Sequence, residues 1–101
     1  MRSVFVEAKT WFDKAGGNSY FSARIHIDGK IAMVLPFQYG YGNQFEYEAV
    51  KALWGNGKLP VGFEATAPLF RLRDFGVDAY STISEAKKAD VVRFGKAEVF
   101  A

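Results

Sequence analysis

The sequence predicts an α+β domain: a mainly antiparallel sheet of about five strands with one main helix and one shorter helix, in the order β-β-β-α-(β)-α-β-β. Three observations carry this expectation. Two strand-like runs are joined by Asp28-Gly29, a strong short-range hairpin signal. One later segment has helical spacing with its own start and stop residues. Alternation then returns near the C-terminal end, so strands lie on both sides of the helices instead of alternating with them one by one.

From Val4 to Trp11, Val4, Val6 and Ala8 alternate with Phe5, Glu7 and Lys9, which predicts a first strand. Asp13 to Asn18, with Gly16-Gly17 inside it, reads as a loop. Ser19 to Ile27 is the second strand. Phe21, Ala23, Ile25 and Ile27 share one face, and Tyr20, Ser22, Arg24 and His26 share the other. The register after Asp28-Gly29 has two solutions. A two-residue loop opposes Ile25 to Ala32, and a three-residue loop opposes Ile25 to Ile31. Ile31 to Leu35 is continuously apolar and suits a central strand covered on both faces. Pro36 has no N–H to give a ladder, so regular pairing should fail there.

The main helix is expected over Gln44 to Trp54. Asn43 as N-cap and Glu46 three residues on have capping-box spacing, and Phe45, Ala49, Ala52 and Leu53 form one apolar stripe. Gly55 or Gly57 supplies the left-handed stop. Leu59, Val61 and Phe63 alternate with Pro60 and Gly62, which reads as a short edge strand or an extended connector. A shorter helix starts near Thr66-Ala-Pro68, with Leu69, Leu72 and Phe75 buried, Arg71 and Arg73 in water and Gly76 as its end. Val77 to Ser84 alternates as a strand, Glu85 to Asp90 is a polar turn, and Val91 to Phe94, then Glu98 to Phe100, supply a last strand.

The 101 residues fit one domain with a core of its own. Half of them are hydrophobic and 17% aromatic, which excludes a disordered composition. There is no cysteine, so a disulfide framework and thiolate metal sites are excluded. Thirteen Lys and Arg against eleven Asp and Glu give a net charge of +2, too little for a dedicated duplex binder. No apolar run approaches the ~20 residues of a membrane span, and Met-Arg-Ser-Val-Phe-Val-Glu has no signal-peptide core.

His26 is the only histidine, so no histidine metal cluster or acid–base pair can form; it reads as a surface residue. The acids are scattered and no nucleophile elbow is present, so neither catalytic nor metal-binding residues, and no cofactor, are expected. Aromatic residues are more informative. Trp11, Phe12, Tyr20, Tyr39, Tyr41, Tyr47 and Tyr80 exceed what a core of this size must hide. Tyr39-Gly40-Tyr41-Gly42, just before the helix, is either an anion seat flanked by rings or a sharp turn with tyrosines over the core edge. The candidate binding set is therefore Trp11, Tyr20, Arg24, Tyr39, Gly40, Tyr41 and Gly42. Lys87-Lys88 reads as a solvated turn.

The run Lys9-Thr-Trp-Phe-Asp-Lys-Ala-Gly-Gly-Asn-Ser-Tyr-Phe-Ser-Ala-Arg24, with Asp28-Gly-Lys30 and Leu35-Pro-Phe-Gln-Tyr-Gly-Tyr-Gly42, resembles small uncharacterised proteins of tailed bacteriophages. The resemblance covers roughly residues 7 to 54. It implies a phage source and the cytoplasm of the infected bacterium, and transfers no catalytic or binding residue. The expected function is a non-enzymatic accessory protein that binds a host or phage protein, such as a defence or replication factor. A weak single-stranded nucleic-acid binder and a nucleotide-sequestering protein are the alternatives. Leu59–Phe63 or the C-terminal strand could also pair with its copy in a homodimer.

Overall fold

A computed structural model describes residues 1–96. The elements are β1 (Ser3–Asp13), β2 (Asn18–Ile27), β3 (Lys30–Tyr39), α1 (Gln44–Gly55), a 3-10 helix (Leu69–Phe75), β4 (Asp78–Glu85) and α2 (Lys88–Phe94). They form an α+β fold on a single four-stranded sheet of order β3-β2-β1-β4. The sheet is mixed: β1–β2 and β2–β3 are antiparallel, but β4 runs parallel to β1. The antiparallel expectation fails at β4 because α1 carries the chain back over one face before β4 joins the far side of β1. A parallel neighbour requires such a crossover.

The hairpin is a two-residue loop with Asp28 at φ 51° and Gly29 at φ 83°, and Ile27 faces Lys30. Neither simple register persists along it. Shifts between Ile25 and His26 and between Phe21 and Ala23 move the pairing to Ile25↔Met33, Ala23↔Leu35 and finally Tyr20↔Tyr39. The second shift falls beside Pro36, where the ladder lacks a donor. Ile31 to Leu35 is not a central strand. β3 lies at the sheet edge, Ile31 is exposed and only Leu35 is fully buried.

The centre belongs to β1 and β2, whose Val4, Val6, Ala8, Phe21, Ala23 and Ile25 are fully buried. α1 covers this face with Phe45, Ala49, Val50 and Leu53, and the 3-10 helix adds Leu69 and Leu72. Each large apolar side chain so buried stabilises the fold by about 1.5–3 kcal/mol. The predicted capping box is not formed. The Asn43 side chain makes no cap hydrogen bond, and the Glu46 carboxylate accepts one from the Ser81 hydroxyl (2.5 Å). Packing of α1 against β4 thus takes Glu46 away from its own helix end. Gly57 takes the left-handed conformation, φ 68°.

Leu59–Phe63 is not a strand. The Phe63 amide donates to Pro60 O (3.1 Å) across Gly62 at φ 89°, which makes a tight turn with Val61 outermost. The second helix is present as a 3-10 helix, stopped by left-handed Gly76. Leu69 and Leu72 are buried as predicted, but Phe75 is partly exposed against Phe63. Arg73 does not simply face water, because its guanidinium donates to Ala79 O.

Val91–Phe94 is helix, not strand. Two adjacent valines favour a strand locally, yet the buried residues are Val91 and Phe94, three apart, and they pack on the sheet face opposite α1. There Ser22 donates to Val91 O (2.5 Å). The expected strand Glu98 to Phe100 lies outside the described residues. No helix among the described residues is long and apolar enough to cross a membrane.

Candidate functional site

On the face that α2 half covers, strand register collects aromatic rings into one row. Trp11 of β1 stands opposite Tyr20 of β2, and Tyr20 stands opposite Tyr39 of β3. The register shift at Pro36 places the Phe37 ring parallel to Tyr20, with centroids 5.1 Å apart and 9° between planes. Trp11 stacks on Tyr20 from the other side at 5.8 Å and 28°. Tyr39 meets Tyr20 edge-on at 5.9 Å, and Tyr41 meets Tyr39 edge-on at 6.5 Å. Both edge-on and offset-stacked pairs are favourable arrangements for ring quadrupoles. The result is a strip of five rings whose centre is half-buried and whose outer members are open: Tyr39 is 54% and Tyr41 68% exposed.

Cations border the strip. Lys88, the first residue of α2, holds its Nζ 5.4 Å from the Trp11 ring centre. A cleft of about 650 Å³ beside it is lined by Trp11, Phe12, Lys14, Lys87 and Lys88, among others. A second cleft, about 620 Å³, lies between the start of α1 and β4 and is lined by Tyr41, Asn43, Glu46, Ser81 and Ile83. The two meet at Thr10, Ser19 and Glu85.

No protein-family model, curated protein or solved structure matches this chain.

The predicted site residues are therefore only partly gathered together. Trp11, Tyr20, Tyr39 and Tyr41 form the strip, and Phe37, overlooked in the sequence because it follows Pro36 in an apolar run, belongs to it. Arg24 does not join them. It lies two positions further along the same face, where its guanidinium sits 3.9 Å from the Phe94 ring centre and Nε donates to Phe94 O (3.2 Å). Arg24 therefore helps to fasten α2.

The glycines of the turn have separate structural duties. Gly40 is buried and its amide donates to Ser19 O (3.0 Å), so that N–H is already engaged. A Cβ at Gly40 would fall 2.5 Å from Cε1 of Phe21, a fully buried ring. Gly42 has open space around it but adopts φ 62°, which turns the chain into α1.

His26 is not a plain surface residue. Its Nε2 is enclosed and has no hydrogen-bond partner among the described residues, although Glu7 Oε1 is 3.5 Å away, within ion-pair reach. Its ring packs on Phe5, which stacks on Tyr80, at the far end of the same face. Among the described residues no three His, Asp or Glu are grouped to hold a metal ion. The titration of Asp28 is displaced downwards. Backbone amides of Arg2 and Ser3 donate to it and hold it below the usual carboxylate range, at the opposite end of β1 from Trp11.

Proposed function

We propose that the chain is a non-enzymatic binding protein, a phage accessory factor in the infected bacterial cytoplasm, whose ring strip docks onto a host or phage protein and blocks it. The observation that carries this reading is the strip itself. Half-buried Trp11, Tyr20 and Phe37 hold their shape against one another, and Tyr39 and Tyr41 are more than half exposed beside them. Aromatic anchors of this kind contribute most at protein interfaces because they present large, stiff area with little rotamer entropy to lose. A host defence or replication factor is the kind of target such a surface would obstruct.

The lysines favour a second reading. Lys88 over Trp11, with Lys14 and Lys87 in the same cleft, offers the ring-plus-cation arrangement that takes single-stranded nucleic acid.

One pair of experiments separates the two. Affinity purification from host lysate is run with the parent chain and with the Tyr39→Ala/Tyr41→Ala variant. A stoichiometric protein recovered by the parent and lost by the variant is the expected result, and equal recovery by both refutes it. In a Trp54→Phe background, Trp11 fluorescence is titrated with oligothymidylate. Quenching that weakens steeply with added salt would move the assignment to nucleic acid.

A further inference from the structure

The two edges of the sheet are treated differently. β3 carries the usual obstacles to pairing with another chain: Lys30 at its start, Pro36 within it and two register shifts along it. β4, Asp-Ala-Tyr-Ser-Thr-Ile-Ser-Glu, has no lysine, no proline and an unbroken register against β1.

Alternation in a parallel ladder tells which groups of β4 remain free. Asp78 N donates to Arg2 O and Ala86 N to Thr10 O, so the even-numbered residues bond to β1. The odd-numbered backbone groups point away from the sheet. Arg73 satisfies Ala79 O from the 3-10 helix. Beyond it, Ser81, Ile83 and Glu85 present N–H and C=O groups with no backbone partner among the described residues.

Side chains at those same positions face the 620 Å³ cleft against α1, where Glu46 and Glu85 are the charged lining residues and no lysine or arginine lines the wall. Ile83, 45% exposed, is its open apolar contact. A second copy of β4 fits badly here. Antiparallel self-pairing about Thr82 sets Glu85 of each copy opposite Ala79 and beside Asp78 of the other, and pairing about Ile83 sets it opposite Ser81, which holds Glu46.

We propose that β4 accepts an extended, basic segment of a partner protein as a fifth strand alongside Ser81–Glu85, with alternate lysine or arginine side chains entering the cleft between Glu46 and Glu85. Main-chain bonds supply the affinity and the cleft selects the side chains, as in other cases of strand addition. This goes beyond the ring-strip reading, since it concerns another edge of the sheet and specifies the partner's chemistry.

The test uses a fluorescein-labelled peptide alternating lysine with valine, its glutamate counterpart, and the lysine peptide N-methylated along one edge. Binding is read by anisotropy, and the site by amide exchange of Ser81, Ile83 and Glu85. The lysine peptide should bind and slow exchange at those three amides. The glutamate and N-methylated peptides, and the Glu85→Lys variant, should each bind roughly tenfold or more weakly. Ile83→Pro removes an outward N–H that β1 does not use and should abolish binding; its melting temperature reports whether it folds, and the N-methylated peptide tests the same bond with the parent chain. Equal binding of the lysine and glutamate peptides, no binding of either, or protection of the same amides by self-association would each overturn the proposal. If the peptides fail while Tyr39→Ala, which leaves Tyr41 in the wall of the cleft, still loses its protein, this inference falls and the ring-strip reading stands.

Discussion

Gly95 is a residue at which one added methyl group should do marked damage. It follows α2 and lies against the sheet so closely that a Cβ there would sit 2.8 Å from Leu35 O, 2.8 Å from Ser22 Cβ and 3.1 Å from Phe37 N. Carbon contacts are comfortable near 3.5–4.0 Å, so an alanine must lift the end of α2 by roughly 0.5–1 Å. Two of the three obstructing atoms are backbone of β3 and cannot turn aside. The same displacement stretches the Ser22–Val91 hydrogen bond and the Arg24–Phe94 contact, both of which fasten α2. Overpacking of this kind costs about 1–3 kcal/mol. Gly95 has φ −91°, so backbone strain adds nothing to that figure. Gly55 is the control: it ends α1 with nothing within 4 Å of its would-be Cβ, and Gly55→Ala should be neutral or stabilising by about 0.5–1 kcal/mol. Urea unfolding of the parent, Gly95→Ala and Gly55→Ala measures all three. If Gly95→Ala keeps its stability within about 0.5 kcal/mol, the range of an ordinary surface change, the close approach of α2 to the sheet is refuted.

Two further outcomes follow from particular contacts. Gly40→Ala drives a methyl into the buried Phe21 ring and should cost about 1–3 kcal/mol. Gly42→Ala meets no atom and should cost about 1–2 kcal/mol for its left-handed backbone alone; chemical shifts of Phe21 should move in the first variant and not in the second. Asp28 is held below the usual carboxylate range in the folded chain, so its charged form stabilises the fold above the unfolded-state value. That contribution disappears as pH falls through the folded-state value. Asp28→Asn keeps a residue tolerant of positive φ, and the stability gap between parent and variant should be widest at neutral pH and close in acid. A gap that stays constant or widens on acidification contradicts the assignment.

Signals confined to a few neighbouring residues were legible. α1 was readable because Phe45, Ala49 and Leu53 repeat on one face and glycines follow them, and the Asp28-Gly29 turn because both residues tolerate positive φ. The ring row was half legible: alternation places Trp11, Tyr20 and Arg24 on one face, but it cannot say that α2 divides them. What decides β4 is its parallel partner 75 residues away in sequence, about which the segment itself carries no information. Val91–Phe94 departs from the strand that its sequence suggests for a related reason. Its β-branched pair speaks for a strand, and only burial beneath the helix, at Ser22 and Arg24, overrides that preference. The uniform apolar run Ile31–Leu35 pointed to the interior, whereas two register shifts leave most of it at the edge.

The proximity of the two proposed surfaces has a single physical origin in β1. Thr10 stands opposite Phe21 in the antiparallel pair and opposite Glu85 in the parallel one, so β2 and β4 are both fixed by the same residue of the central strand. Its hydroxyl donates to Tyr20 O (2.9 Å) and its carbonyl accepts from Ala86 N (2.9 Å). The first bond ties β1 to the backbone of the stacked Tyr20, and the second lies just past the end of β4, two residues before α2 begins. Lys88 reaches the Trp11 ring from the start of α2, three residues past the end of β4. A partner that gripped both surfaces would approach from this end of the sheet, where the basic cleft and the acidic cleft adjoin at Thr10, Ser19 and Glu85. Charges of opposite sign on the two sides of that junction would then fix the orientation in which it binds, more than they would add to its affinity.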